Sequence, residues 1–101
     1  VERHWAYARS LNLDARIVAD LPVDLTVAEL ANESTVTSQI LEVGRTLRDQ
    51  FSANVILLGC AGMARYRQVM EDELGLPVID PTQAAVAAAV TALRLGYRAA
   101  R

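Results

Sequence analysis

The chain has a single cysteine, Cys60, so no internal disulfide is possible, and a reducing compartment, the cytoplasm, is the expected location. No Cys-x-x-Cys pair exists and the one histidine, His4, lies far from Cys60 in sequence, so the pattern of a zinc site is missing. No apolar run approaches the ~18 residues of a membrane span, no signal peptide is visible, and no membrane contact is expected. Charge of neither sign dominates. Ten Lys+Arg and twelve Asp+Glu are mixed along the chain without a basic stripe, which argues against nucleic acid as a partner. Internal repeats, a low-complexity linker, a Gly-rich phosphate loop and a Ser-His-Asp order are also absent.

Apolar residues, by contrast, are plentiful. They make up 52% of 101 residues, with a mean hydropathy of +0.19, rich for one small domain that must keep much of its surface wet. The excess implies surface meant for a further part of the polypeptide or for a second copy in a homo-oligomer. The chain also opens on Val1, without an initiator methionine and in mid-pattern, and reads as a piece of a longer protein.

Val1 to Leu11 reads as the tail of a helix, with Trp5 and Ala8 on its inner face, His4 as a surface residue and Asn12 as the left-handed C′ residue. Between Ala15 and Leu30 two signals compete. Leu21, Val23, Leu25 and Val27 alternate with Pro22, Asp24 and Thr26 as in a half-exposed strand, whereas Thr26 and Glu29 fit a capping box. The longer alternation predicts a strand, and Pro22 makes it an edge. A helix follows from about Asn32 or Ser34 to Phe51, on the spacing of Val36, Ile40, Val43, Leu47 and Phe51. Gly44 within it costs up to about 1 kcal/mol relative to alanine.

Asn54-Val55-Ile56-Leu57-Leu58-Gly59-Cys60-Ala61-Gly62-Met63 is the stretch that organises the rest. Val55 to Leu58 reads as a strand buried on both faces, of the kind found in parallel sheets. Gly59, Ala61 and Gly62 leave backbone amides bare around the thiol of Cys60. A helix is expected directly afterwards, with Met63, Tyr66, Met70 and Leu74 inward, the methionines as core filler, and Gly75 as its stop. Amides at a helix N-terminus favour an anion, so the thiol there would ionise more easily, and the thiolate is the reactive form. The plainer reading is a small buried hydrophobe at a strand end. Leu76 to Asp80 is a second strand. Asp80, Pro81 and Gln83 then supply the N-cap, first and third positions of a last helix, rich in alanine and expected to be covered on most sides. The cap explains Asp80 without a catalytic role. Alternation of helices and strands predicts an α/β fold, a parallel sheet with helices on both faces.

Gly59-Cys60-Ala61-Gly62-Met63, then Glu73-Leu74-Gly75-Leu76-Pro77-Val78-Ile79-Asp80-Pro81, then the alanine-rich helix ending Leu95-Gly96-Tyr97, resembles the second half of hydantoin and allantoin racemases. These belong to the aspartate/glutamate/hydantoin racemase superfamily. Upstream, Asn12-Leu13, Arg16 and Val23 to Leu25 are similar to the family's Gly-Leu turn, arginine and edge strand, with asparagine in place of glycine. The resemblance covers about residues 1–98 and is specific over 54–81. It implies two facing α/β lobes, of which residues 1–101 are the C-terminal one, without its first strand and without the first lobe. It also implies a cofactor-independent inversion at C5 of a small molecule, a hydantoin. One cysteine from each lobe exchanges the proton, Cys60 being the second, and the backbone at Gly59, Ala61 and Gly62 holds the developing enolate oxygen. Amino-acid racemases of the superfamily resemble Gly-Cys-Thr-His here; Ala61-Gly62 offers no polar side chain and favours a cyclic, amide-like substrate. With the partner cysteine outside the chain, two alternatives stay open. One is a one-cysteine enzyme resembling arylmalonate decarboxylase or maleate isomerase, the other a non-catalytic partner domain.

Overall fold

The computed structural model describes residues 2–59 and 63–98. Helix α1 spans Glu2–Ser10 and ends as its sequence dictates. Asn12 takes φ 59°, and Leu13 N–H donates to Ala8 O at 2.9 Å, satisfying a terminal carbonyl. Ala8 is buried, but Trp5 is only half-buried and lies outside the main core cluster.

The expected edge strand does not form a ladder among the described residues. Residues 17–25 run without regular pairing, and the capping box prevails. Glu29 N–H donates to Thr26 Oγ1 at 3.2 Å, Thr26 N–H donates to Glu29 Oε1 at 3.1 Å, and a one-turn helix, α2, spans Val27–Leu30. The alternation is nonetheless visible as burial: Leu21, Val23 and Leu25 are half-buried while Pro22, Asp24 and Thr26 are exposed. A period of two reports which side chains face inward on an extended chain. A ladder needs, in addition, a neighbouring backbone, which periodicity cannot supply.

Helix α3, Glu33–Gln50, starts on Asn32, whose Oδ1 accepts from Thr35 N–H at 3.3 Å. Val36, Ile40 and Gly44 are its buried residues. It closes with Ser52 at φ 57° and Ala53 N–H donating to Leu47 O at 3.0 Å. Strand β1, Ile56–Leu57, pairs in parallel with β2, Val78–Ile79, in the register Ile56 with Val78 and Leu57 with Ile79. Ile56 N–H donates to Pro77 O at 3.0 Å and Leu58 N–H to Ile79 O at 2.9 Å. Between the strands, a short 3-10 turn, Ala64–Tyr66, leads into α4, Arg67–Leu74, which stops at Gly75 with φ 69°. Regular α-helix therefore begins at Arg67, later than expected.

The core lies on one side of this small parallel sheet, where Ile56, Leu58 and Val78 meet Val36 and Ile40 of α3 and Met70 and Leu74 of α4, with Tyr66 beside them. Met70 is core filler as expected; Met63 is half-buried against the same cluster. The chain is thus α/β with a parallel sheet. Its other face is bare: Val55, Leu57 and Ile79 are exposed, against the expectation of a strand buried on both faces. The reason is α5, Pro81–Arg94, which has no buried residue. Its N-terminus is built as read, with Asp80 Oδ2 accepting from Gln83 N–H at 2.9 Å. Yet the helix expected to be covered on most sides leaves Val86, Val90 and Leu93 exposed, one stripe at i, i+4 and i+7.

Candidate functional site at the carboxyl end of the sheet

The two strands end side by side. Leu58 is bonded to Ile79, and the next residues are Gly59, exposed at the end of β1, and Asp80, 1% exposed at the end of β2. The carboxyl edge of a parallel sheet is where ligands of open α/β folds bind. Of the predicted site residues, the structure places Gly59 at this edge. Cys60, Ala61 and Gly62 lie outside the described residues.

Asp80 caps α5 through Oδ2, as read from the sequence, while its buried Oδ1 has no partner among the described residues. A cavity of about 260 Å³ borders it, lined also by Arg67, Ile79, Gln83 and Ala84. A second, of about 300 Å³, lies between residues 21–24 and α3, where Gln39, Glu42 and Thr46 line it. It contains no residue of the carboxyl edge.

Glu71 on α4 anchors β2 from outside. Its Oε1 accepts from Val78 N–H at 3.0 Å and from Arg67 Nη1 at 2.8 Å. The Val78 amide holds the Glu71 carboxyl below the usual carboxylate range, and Arg67 adds to this against the opposing effect of desolvation. That amide points away from β1, so Glu71 occupies a donor that an added strand would otherwise take.

One group was read from the sequence only as surface. His4 Nδ1 lies 2.6 Å from Asp20 Oδ2, and His4 Cε1 lies 3.9 Å from where a β-carbon on Gly59 would sit. His4 is 60% exposed in its side chain, so the surface assignment holds, but it stands at the end of β1 with a carboxylate partner. Local spacing holds no signal for a pair sixteen residues apart. Among the described residues no group of three or more His, Cys, Asp and Glu lies together as a metal site would require, and no helix is long and apolar enough to cross a membrane.

The profile of the Asp/Glu/hydantoin racemase family matches residues 1–89. The chain belongs to this family. A hydantoin racemase from Paenarthrobacter aurescens is 34% identical over 70 residues, 69% of this chain and 30% of that protein. A hydantoin racemase from Pseudomonas sp. (strain NS671) is 43% identical over 58 residues, 57% of this chain and 23% of that protein. The crystal structure of an allantoin racemase from Pseudomonas fluorescens superposes with a TM-score of 0.83 at 27% identity, over 95% of this chain and 41% of that one. The chain therefore spans under a third of these curated relatives and about two-fifths of the solved structure.

Proposed function

We propose that residues 1–101 are the second lobe of a two-lobed, cofactor-independent racemase that inverts C5 of hydantoins, allantoin among them. The observation that carries this is the superposition of 95% of the chain on an allantoin racemase, with Gly59 ending β1 at an open carboxyl edge. Cys60, the next residue, is the proton-transfer thiol of this lobe. A cysteine of the first lobe works on the opposite face of C5. One thiolate removes the proton and the other thiol returns one, so a planar enolate separates the two enantiomers.

A thiol suits this because its ordinary pKa, ~8.5, lies near neutrality and surroundings can move it either way. Backbone N–H groups at Gly59, Ala61 and Gly62 stabilise the enolate oxygen where negative charge develops. Ala61 and Gly62 carry no side chain to manage an ammonium group, which favours a neutral ring over a free amino acid. The ring helps by conjugating the enolate, so no carboxylate dianion forms. The rest of the polypeptide covers the bare sheet face and α5, the enzyme assembles from copies of itself, and it works in the cytoplasm.

Deuterium uptake at C5 from heavy water, followed by NMR alongside loss of optical rotation, tests the reading on the full polypeptide. Exchange and loss of rotation should coincide for 5-substituted hydantoins. Exchange of free glutamate as fast as that of any hydantoin would overturn it, as would release of carbon dioxide from an arylmalonate.

A further inference from the structure

The geometry points to Asp80 and Arg67, which line one cavity, as the pair that binds an N–H and the neighbouring C=O of a neutral ureide ring; this rests on the reading of the protein as a hydantoin racemase. Asp80 is 1% exposed at the end of β2. Capping α5 uses one of its oxygens, since Oδ2 accepts from Gln83 N–H at 2.9 Å. Oδ1 is buried too and has no hydrogen-bond partner among the described residues. A carboxylate oxygen shielded from water and left without a donor is costly, because nothing offsets its desolvation. The cap does not call for it: serine, threonine or asparagine caps a helix with one oxygen and no buried charge. The second oxygen is placed for a donor that comes with a ligand.

That ligand must fit a cavity of about 260 Å³, which Asp80 and Arg67 line with Ile79, Gln83, Ala84 and Ala87. One water needs only about 10–15 Å³ of such space, and drug-sized ligands need about 300–1,000 Å³, so a small ring matches it. Arg67 gives Nη1 to Glu71 Oε1 at 2.8 Å and Nη2 to Gln68 Oε1 at 3.4 Å, which leaves further N–H groups of its fork to donate. The lining thus holds an acceptor, a donor and apolar surface from Ile79, Ala84 and Ala87. Charge narrows the ligand. A cation would meet Arg67, and an anion would meet the Asp80 carboxylate. Each of these charges is already compensated, Arg67 by Glu71 and Asp80 by the N-terminus of α5. A neutral N–H beside a C=O satisfies both groups and adds no charge. The last torsion of aspartate is soft, so the carboxyl turns to meet the ring while keeping the Gln83 amide. Leu58 N–H donates to Ile79 O at 2.9 Å, which sets Asp80 and Gly59 at adjoining strand ends, about 4.8 Å apart as neighbouring strands are. The ring N–H and C=O are therefore held at the edge where the C5 chemistry is proposed.

The test uses the full polypeptide and measures racemisation of a 5-substituted hydantoin and of its N1-methyl and N3-methyl derivatives. In the wild type, the derivative that lacks the N–H accepted by Asp80 should show a KM raised roughly ten- to a hundredfold, as for a hydrogen bond to a charged group. Asp80→Ser keeps a capping oxygen and removes the carboxylate. Its KM for the parent hydantoin should rise by a similar factor, and the penalty for the methylated ring should vanish. The loss should fall on KM more than on kcat, because the contact is made alike in ground and transition states. Arg67→Met should raise KM for all three compounds. Should Asp80→Ser fail to fold, the wild type decides alone, and equal KM values for the three compounds would overturn the inference. So would an unchanged KM in Arg67→Met, or an unchanged methyl penalty in Asp80→Ser, and either result would leave the racemase reading intact. Competition by free glutamate that Asp80→Ser abolishes would assign the pair to a zwitterion and overturn the ureide. A full polypeptide that exchanges no hydantoin would instead remove the underlying reading, and the inference with it.

Discussion

Leu74 Cδ1 lies 2.6 Å from the point where a β-carbon on Gly44 would sit. Both residues are buried, and the contact brings the last residue of α4 against α3. Gly44 is thus the site where α4 presses its last apolar side chain against the backbone of α3, and not a weak point of the helix.

Gly44→Ala should therefore destabilise the protein, although alanine is the better helix former. Helix propensity contributes about 1 kcal/mol in its favour, while forcing a methyl into a packed core costs about 1–3 kcal/mol. The net loss is expected at up to ~2 kcal/mol by these figures. Urea unfolding of Gly44→Ala, Leu74→Ala and the double variant checks it. The double variant should lose less than the sum of the singles, because the cavity left by Leu74 accepts the new methyl. Stabilisation by Gly44→Ala alone would refute the packing argument.

Much of the chain was legible from local chemistry. Asn12 and Gly75 turn left-handed where they were expected to, and Asp80, Pro81 and Gln83 start α5 as their types demand. These signals are complete within a few residues. The failures share the opposite property. Leu21 to Leu25 alternate because one side packs inward, which does not disclose whether a strand lies alongside. Gly44 reads as a cost until Leu74 is placed against it. His4 reads as surface until Asp20 and the end of β1 arrive beside it. At the site itself, Gly59 stands where the glycine-bounded apolar run put it. Nothing local told how late α4 begins or that α5 leaves its apolar stripe open.

Acid should weaken the hold of α4 on β2 through Glu71. Its carboxyl is lowered in the folded state, chiefly by the Val78 amide. The stabilisation is therefore fully present above the unfolded value of 4.5 and is lost as pH falls through the lower folded value. Glu71→Gln keeps an oxygen for the Val78 amide but cannot titrate. Its urea midpoint should fall less than that of the wild type on acidification from neutral pH to about pH 3. Parallel acid dependence in the two proteins would show that the pair contributes nothing.

The stripe of Val86, Val90 and Leu93, with Leu57 and Ile79 on the bare sheet face, should make residues 1–101 associate when expressed alone. Hydrophobic-dye binding and light scattering check this, and Val86→Glu with Val90→Glu should reduce both. In the full polypeptide the same two substitutions should lower the melting temperature, if the stripe is covered there as the proposed function has it. A sharp cooperative melt from a monomeric 1–101 sample would sink the idea.

Cys60→Ser separates two-base chemistry from its one-base rivals. A serine hydroxyl is far too weak an acid to ionise near neutrality, so this face of C5 can neither lose nor gain a proton at a useful rate. Loss of a positioned acid or base typically costs about 10²- to 10⁴-fold, and racemisation, which needs both faces, should fall at least that far. On the proposed two-thiol reading, the first-lobe thiol still reaches its own face, however. One enantiomer of a 5-substituted hydantoin should therefore continue to exchange its C5 proton for deuterium without inverting, while the other stops exchanging. NMR on each pure enantiomer in heavy water reads both rates. Equal residual exchange of the two enantiomers would mean that a single group serves both faces, and the two-thiol assignment would fall. Persistence of racemisation near the wild-type rate would remove Cys60 from the chemistry altogether.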